Sequence, residues 1–433
     1  MPGEPLSAAL NFIFPPLSRE TDPQEETDMK ILVVNAGSSS LKYQLFDMTD
    51  NSVLAKGICE KIGITPTSGI ITHKRPNAEK YSKETPVPDH IAAISLVLKT
   101  LTDPELGVIK DVSEIEAVGH RFVHGGTKIK ESGILDEETI AYVESIIPIN
   151  PLHGPASLKG FNACRQAMPN VPHVGVFDSA FYATMPEASY MYAVPYEWYE
   201  KYGIRRYGFH GTSHRYVSAE AAKLVGKPIE DLKIITCHIG SGSSITAIKN
   251  GVAVDTSMGF TPQDGLPMGT RCGPIDPSIV TFMIRQGLSA DEIDNILNKK
   301  SGMIGVSGVS SDAREVWEAV DQGNHRAQLA MDLVIHNARK LIGSYVAEMN
   351  GVDVIVFTAG LGENDNLVRQ GVATNLEALG VKINEELNMN APRGSLLDLT
   401  AEGSRVKVFV IPTDEELMIA KDTERIAKDY YAK

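Results

Sequence analysis

The sequence predicts an α/β protein built of two related lobes, and three observations lead to that fold class. Apolar β-branched runs alternate with stretches of helical period from one end of the chain to the other. A strand–turn–strand pattern occurs twice, at Lys30 and again at Lys233, which suggests two lobes each built round its own sheet. The length, 433 residues with 42% hydrophobic, suffices for two or three compact units with substantial cores and excludes a single small module.

The elements follow in order. Residues 1–28 hold six acidic residues, no lysine and only Arg19 as a base, which fits neither a secretory signal nor an Arg-rich transit peptide, so a flexible leader is expected there. Met29 stands immediately before the first strong strand and could itself be the natural start. From Lys30, KILVVNAGSSSLKYQLFD reads as a strand, a small-residue turn and a second strand. IEAVGHRFVHGG and VPHVGVFDSAFYATMP each read as an apolar strand running into a polar turn. KIITCHIGSGSSITAIKNG repeats the opening pattern: both segments begin Lys-Ile and run through apolar residues to a Gly-Ser turn, Gly37-Ser38 in one and Gly240-Ser241 in the other. Met331, Val334, Ala338, Leu341, Tyr345 and Met349 fall at steps of three and four, marking the core stripe of an amphipathic helix stopped by Gly351. VDVIVFTAGLGEND is a buried strand opening into a glycine turn. KVFVIPTDEELMIAKD is a strand followed by a helix whose N-cap is expected at Thr413, with Glu416 three residues on.

Charge and cysteine usage exclude several function classes. The formal net charge is −14 with no dense Lys/Arg run, so the chain has no electrostatic footprint for nucleic acid, and an anionic substrate would need local arginines. No apolar run approaches the roughly 18–20 residues that span a bilayer, so no membrane partner is expected. Cys59, Cys164, Cys237 and Cys272 lie far apart without paired spacing, which suits reduced thiols in a cytoplasmic protein.

Gly-Ser turns between strands present backbone N–H groups, and their small residues let a phosphate approach closely. Either turn alone is also an ordinary tight hairpin; their recurrence favours a polyphosphate. No P-loop and no protein-kinase signature accompanies them. Arg121 lies between His120 and His124 in GHRFVHGG, and Arg271 between Gly269 and Gly273 in MGTRCGPIDP. A guanidinium on a glycine-rich turn suits a bidentate grip on phosphate or carboxylate better than it suits a solvated helix face. His210 and His214 in YGFHGTSHR are spaced i, i+4, but the glutamate of a zinc-protease motif is replaced by Gly211-Thr212, which argues against zinc. A structural role is the stronger reading for His214 than for His210, and His120, His124 and His173 are read as structural. Asp178 ends an apolar strand, where a carboxylate can hold hydrated Mg²⁺. Glu415 sits in the first turn of the last helix, where an acid also stabilises the helix dipole whatever else it does.

Taken together, NAGSSSLK, GHRFVHGG, NPLHGP, VFDSAF, YGFHGTSHRYV, MGFTPQDGLPMGTRCGPIDP and IPTDEE closely resemble the acetate kinase family, in the superfamily it shares with sugar kinases, actin and heat-shock ATPases. The resemblance runs from Met29 to the last helix; residues 1–28 have no counterpart. It implies two ribonuclease H-like lobes with mixed sheets flanked by helices and a cleft between them, one of residues 29–179 plus 415–433 and the other, nucleotide-binding, of 180–414. It implies reversible phosphoryl transfer between ATP and acetate, giving ADP and acetyl phosphate, with Mg²⁺, or Mn²⁺ as its alternative, in a cytoplasmic homodimer. Kinases for propionate or butyrate, and an ATP-driven chaperone or filament protein of the same superfold, are the alternatives.

Carried over by motif position, the resemblance implies that Arg121 and Arg271 grip the transferring group across the cleft, with His210 donating to its oxygens and His153 assisting. Asp178 and Glu415 would organise acceptor and metal, with Asn35 joining Glu415 at the metal. Asn35, Ser38, Ser40 and Lys42 would form the first phosphate turn. Nucleotide would rest against His238, Gly240, Ser241 and Gly242, against Asp312, Ala313 and Arg314, and against Gly360, Leu361, Gly362, Glu363 and Asn364. Val123, Leu152, Phe209 and Pro262 would line a small acyl pocket. Ser241 stands where the family usually carries Asn. A phosphoryl group in flight carries spread negative charge, so paired arginines and a histidine suit this chemistry.

Overall fold

Each Lys-Ile run becomes the first strand of an antiparallel meander. The computed structural model describes residues 29–65, 67–151 and 153–433, so the leader expected over 1–28 and the pocket residue Leu152 lie outside the described residues. The described residues divide into two compact units, one of residues 29–180 joined by Asp414–Lys433, the other of Phe181–Thr413.

In the first unit, β1 (Lys30–Ala36), β2 (Ser40–Asp47), β3 (Ser52–Glu60), β4 (Ile70–Lys74) and β5 (Tyr81–Glu84) pair antiparallel in succession. On the other side of β1, β6 (Ala117–Phe122) and β8 (His173–Phe177) run parallel to it, with the short β7 (Gly133–Ile134) at the edge, in the order β5-β4-β3-β2-β1-β6-β8-β7. The period of two on β1 builds the layers. Leu32 and Val34 enter one apolar cluster with Ala93, Val97 and Ala163 of the helices His90–Leu101 and Gly154–Ala167. Ile31 and Val33 enter another with Ile419, Ala420 and Ala427 of the last helix, Glu415–Tyr431. Gly119 on β6 admits that helix closely: a Cβ there would lie 2.7 Å from Ile419 and clash with Thr423.

The second unit repeats the scheme. β9 (Lys233–Ile239), β10 (Ser243–Lys249) and β11 (Val252–Thr256) form the meander, β12 (Val354–Thr358) and β14 (Lys407–Val410) run parallel beside β9, and β13 (Leu397–Asp398) is the edge, in the order β11-β10-β9-β12-β14-β13. Ile235, Cys237 and Ile239 face the helix His325–Met349, and Ile234 faces Val217 and Ala221 of the helix Gly211–Val225. Two mixed sheets flanked by helices are therefore present, as the repeated pattern predicts. No helix of the described residues is long and apolar enough to cross a membrane.

Three local expectations are corrected. The last helix is capped by Asp414, whose carboxylate accepts from the Leu417 N–H, while Thr413 is engaged elsewhere, its hydroxyl bonded to Ser213 and its N–H to Glu363. A carboxylate one residue nearer the helix took the capping role. The long helix stops at Asn350, in the left-handed conformation with φ 55°, one residue before Gly351, because Asn tolerates that region. The glycine turn after β12 is instead a short helix, Ala359–Asn364.

Candidate functional site

The first unit gathers its chemistry at the C-terminal ends of parallel strands. β6 and β8 are in register from Val118 with His173 to Phe122 with Phe177, which sets Arg121, near the end of β6, beside Asp178, the residue after β8. Arg121 Nη2 donates to Asp178 Oδ2 at 2.7 Å, and its Nε lies 3.4 Å from Glu415 Oε2 at the start of the last helix. Asp178 is wholly buried, and the Arg121 side chain is 19% exposed. Burial opposes the guanidinium charge, but Asp178 and Glu415 more than offset it and hold Arg121 protonated more firmly than a free arginine. For Glu415, loss of solvent dominates over the attraction of Arg121 and, with Asp178 and Glu416 adding repulsion, its carboxyl is pushed up to about 7.

Asn35 and Lys42 face each other across the β1–β2 hairpin, and Lys42 is near enough for its charge to act on Glu415. The Gly37 N–H donates to the Ser40 carbonyl to close the turn, with Ser38 exposed at its tip. His153 occupies the N-cap position of the helix Gly154–Ala167, and Val123 follows β6 directly. His120 and His173 are buried and bonded to each other at 2.9 Å, as their structural reading expects.

The second unit places another set round the β9–β10 turn. A Cβ built at Gly242 would lie 3.1 Å from His210 Nε2 and 3.4 Å from Arg271 Nη1, so both side chains converge on that glycine. Arg271 Nη1 donates to the Pro262 carbonyl at 3.0 Å and faces no carboxylate among the described residues; burial alone pushes its guanidinium below the usual arginine range. A half-buried cation without an acid beside it is a ready partner for an anion. His210, at φ 61° immediately before the helix Gly211–Val225, stacks on His238 with ring centroids 4.1 Å apart and planes 10° from parallel. Phe209 is buried, its carbonyl accepting from the Tyr182 hydroxyl.

A cavity of about 510 Å³ in the same unit is lined by Asp312, Ala313, Arg314, Gly360, Leu361 and Asn364, six of the residues expected to meet nucleotide. Arg314 grips Asp312 and holds its carboxyl down to about 2. Gly240 adjoins this segment, since a Cβ on it would lie 3.5 Å from Ala359. Gly362 is buried away from the cavity, and Glu363 turns inward, its carboxylate accepting from the Ala359 and Thr413 N–H groups. Trp317 and Arg393 also line the cavity. Trp317 carries a legible signal, lying one helical turn after Ala313; Arg393 carries none. Ser244, bonded to His210, also escaped the sequence reading because a serine inside a strand is an ordinary core residue.

A family model for the acetokinase family matches residues 30–421. The chain belongs to that family. Acetate kinase from Clostridium botulinum (strain Kyoto / Type A2) is 56% identical over 399 residues, 92% of this chain and 99% of its own. Among solved structures, Porphyromonas gingivalis acetate kinase matches with a TM-score of 0.88 at 49% identity, covering 92% of this chain and 99% of that one. A propionate kinase from Francisella tularensis matches with a TM-score of 0.85 at 38% identity, covering 92% and 100%. The acetokinase match spans every candidate residue from Asn35 to Glu415.

Proposed function

We propose that this acetokinase-family protein is an acetate kinase. One observation carries the reading beyond family membership: the Arg271 guanidinium, which faces no carboxylate among the described residues, and His210 Nε2 converge on a glycine turn suited to phosphate. A simple carboxylate is ionised near neutral pH and needs no base. An acetate oxygen attacks the γ-phosphorus of ATP in line as the bond to the ADP oxygen breaks, giving acetyl phosphate; the reverse step regenerates ATP. Arg271 and His210 stabilise the equatorial oxygens, while Arg121, fixed by Asp178, receives the acceptor carboxylate, with His153 assisting. The cavity at Asp312 and Gly360 suits nucleotide, with His238 and the turn Gly240–Gly242 toward its phosphates.

The donor set near Glu415 fits a magnesium ion. Glu415 resists ionisation chiefly because it is desolvated, and the neighbouring Asp178 and Glu416 charges add to this, so a cation beside it would be welcome. Among the described residues no cluster of three or more His, Cys, Asp or Glu is placed to hold a metal, but Mg²⁺ takes only one or two carboxylates and fills its shell with water and phosphate oxygens. Asn35 and Glu415 would hold the ion, which when bound neutralises charge on the transferring phosphates.

Incubation with ATP, Mg²⁺, acetate and hydroxylamine is expected to give coloured acetohydroxamate; no acetate-dependent product would end this reading. Propionate is the alternative acceptor, suggested by the relative of that name. Val123→Ala is expected to raise kcat/KM for propionate relative to acetate roughly tenfold, since a methylene in such a pocket is worth about 1–3 kcal/mol. An unchanged ratio removes Val123 from acyl selection. Ser241 is exposed at its turn and offers one hydroxyl where an amide is usual. Ser241→Asn is expected to change the KM for ATP several-fold while that for acetate stays put; the opposite pattern would move Ser241 away from the nucleotide.

A homodimer suits the helix Ser278–Arg285, whose Ile279, Phe282 and Ile284 are 46, 57 and 47% exposed. The four cysteines are free, as in a reducing cytoplasm.

A further inference from the structure

Behind His210 runs a buried chain of hydrogen bonds that the reaction scheme above does not use. His210 Nδ1 lies 2.9 Å from Ser244 Oγ. The same oxygen lies 2.7 Å from His214 Nε2. His214 Nδ1 in turn lies 2.6 Å from Thr236 Oγ1. His214, Ser244 and Thr236 are each fully buried, at 0% exposure.

The direction of this chain follows from its far end. Among the described residues the Thr236 hydroxyl makes no hydrogen bond other than that to His214. If it accepted from a His214 Nδ1–H, its own buried proton would be left without an acceptor, which costs more than leaving a lone pair unused. Thr236 therefore donates to Nδ1. Burial, with His238 adding repulsion, pushes His214 well below the usual histidine range, so the ring is neutral and its single proton sits on Nε2, directed at Ser244. Ser244 must then send its own proton elsewhere. The Phe209 carbonyl is 3.3 Å away, beyond the usual O–H···O range, whereas His210 Nδ1 is at 2.9 Å.

We propose that Thr236, His214 and Ser244 are positioning residues that hold His210 in the tautomer carrying its proton on Nε2, the nitrogen that faces Gly242 and Arg271. The inference rests on the kinase reading for its catalytic consequence, though not for the tautomer itself. The chain makes His210 a donor while neutral, so it can stabilise phosphoryl oxygens without first acquiring a charge. To protonate Nδ1, Ser244 would have to turn its hydroxyl to the long Phe209 contact.

The test is a long-range ¹H–¹⁵N spectrum of the full chain with ring-¹⁵N histidine, His210 being assigned from a His210→Asn spectrum. The expected result is an Nε2–H tautomer at both His210 and His214. Ser244→Ala is expected to turn His210 toward a tautomer mixture and to lower kcat roughly 10–100-fold, by analogy with the loss of a group that orients a metal-ligating histidine, with the KM values for ATP and acetate unchanged. Thr236→Val should lower kcat in the same way, and Thr236→Ser, which keeps the hydroxyl, should restore it. An Nδ1–H tautomer at His210 in the parent protein would overturn the proposal. So would a folded Ser244→Ala protein with unaltered His210 resonances and kcat, or equal kcat in the two Thr236 variants. Should the parent form no acetohydroxamate, the kinase reading fails while the tautomer spectrum still decides the relay.

Discussion

Arg271→Ala is expected to lower kcat by roughly 10²–10³-fold, the range found when one preorganised donor to developing negative charge is removed. The argument rests on what Arg271 lacks as much as on what it touches. Among the described residues its only hydrogen-bond partners are the Pro262 carbonyl at 3.0 Å and the Met268 sulfur at 3.5 Å, and burial depresses its guanidinium with no acid among them to offset the cost. A cation held so is more stable once an anion arrives, and most stable when that anion carries the spread charge of a phosphoryl group in flight. Removing it strands no carboxylate, so the melting temperature should hardly move. Initial-rate kinetics at saturating ATP and acetate check the first part and thermal unfolding the second. A variant altered only in KM would make Arg271 a ground-state binding group.

Arg121→Ala should behave differently, losing both activity and stability. Arg121 is the cation between Asp178, wholly buried, and Glu415. Without it two carboxylates share a desolvated site, and breaking a buried pair by removing one partner costs about 3–5 kcal/mol. The pH dependence has a definite sign. Burial already raises Glu415 to about 7 against the pull of Arg121, so losing Arg121 raises it further. An acid whose folded-state pKa exceeds its unfolded value binds more protons when folded, so the stability deficit grows above neutral pH and shrinks as the pH falls. Urea unfolding of parent and variant across that range measures it. A deficit that widened on acidification would mean that Arg121 is not the partner of these carboxylates.

The contrast between the two arginines was only half legible in the sequence. Both stand on glycine-bearing turns and both invite an anion-binding reading. Nothing in the flanking residues of Arg121 announces Asp178 and Glu415, because those partners come from the next parallel strand and from the last helix. Likewise the YGFHGTSHR segment shows two histidines at i, i+4 spacing, which raises the question of zinc. The fold answers it by inserting Ser244 between the two rings, and that serine comes from the strand after the Gly240–Gly242 turn. Caps fared similarly: Thr413 and Gly351 were reasonable terminators, but Asp414 and Asn350 lay nearer the ends where the backbone needed them.

What the sequence determined by itself was local and periodic. The unbroken apolar run at Lys30, steps of three and four along His325–Met349, and the recurrence of Lys-Ile before a Gly-Ser turn are written in neighbouring residues, because secondary structure repeats over a few positions. Tertiary structure decided which charges are matched, which is left alone, and where a buried proton must point. Those depend on strand register and helix docking, which bring together atoms tens to hundreds of residues apart and strip them of water, so that one hydrogen bond more or less sets the chemistry of the group at its end.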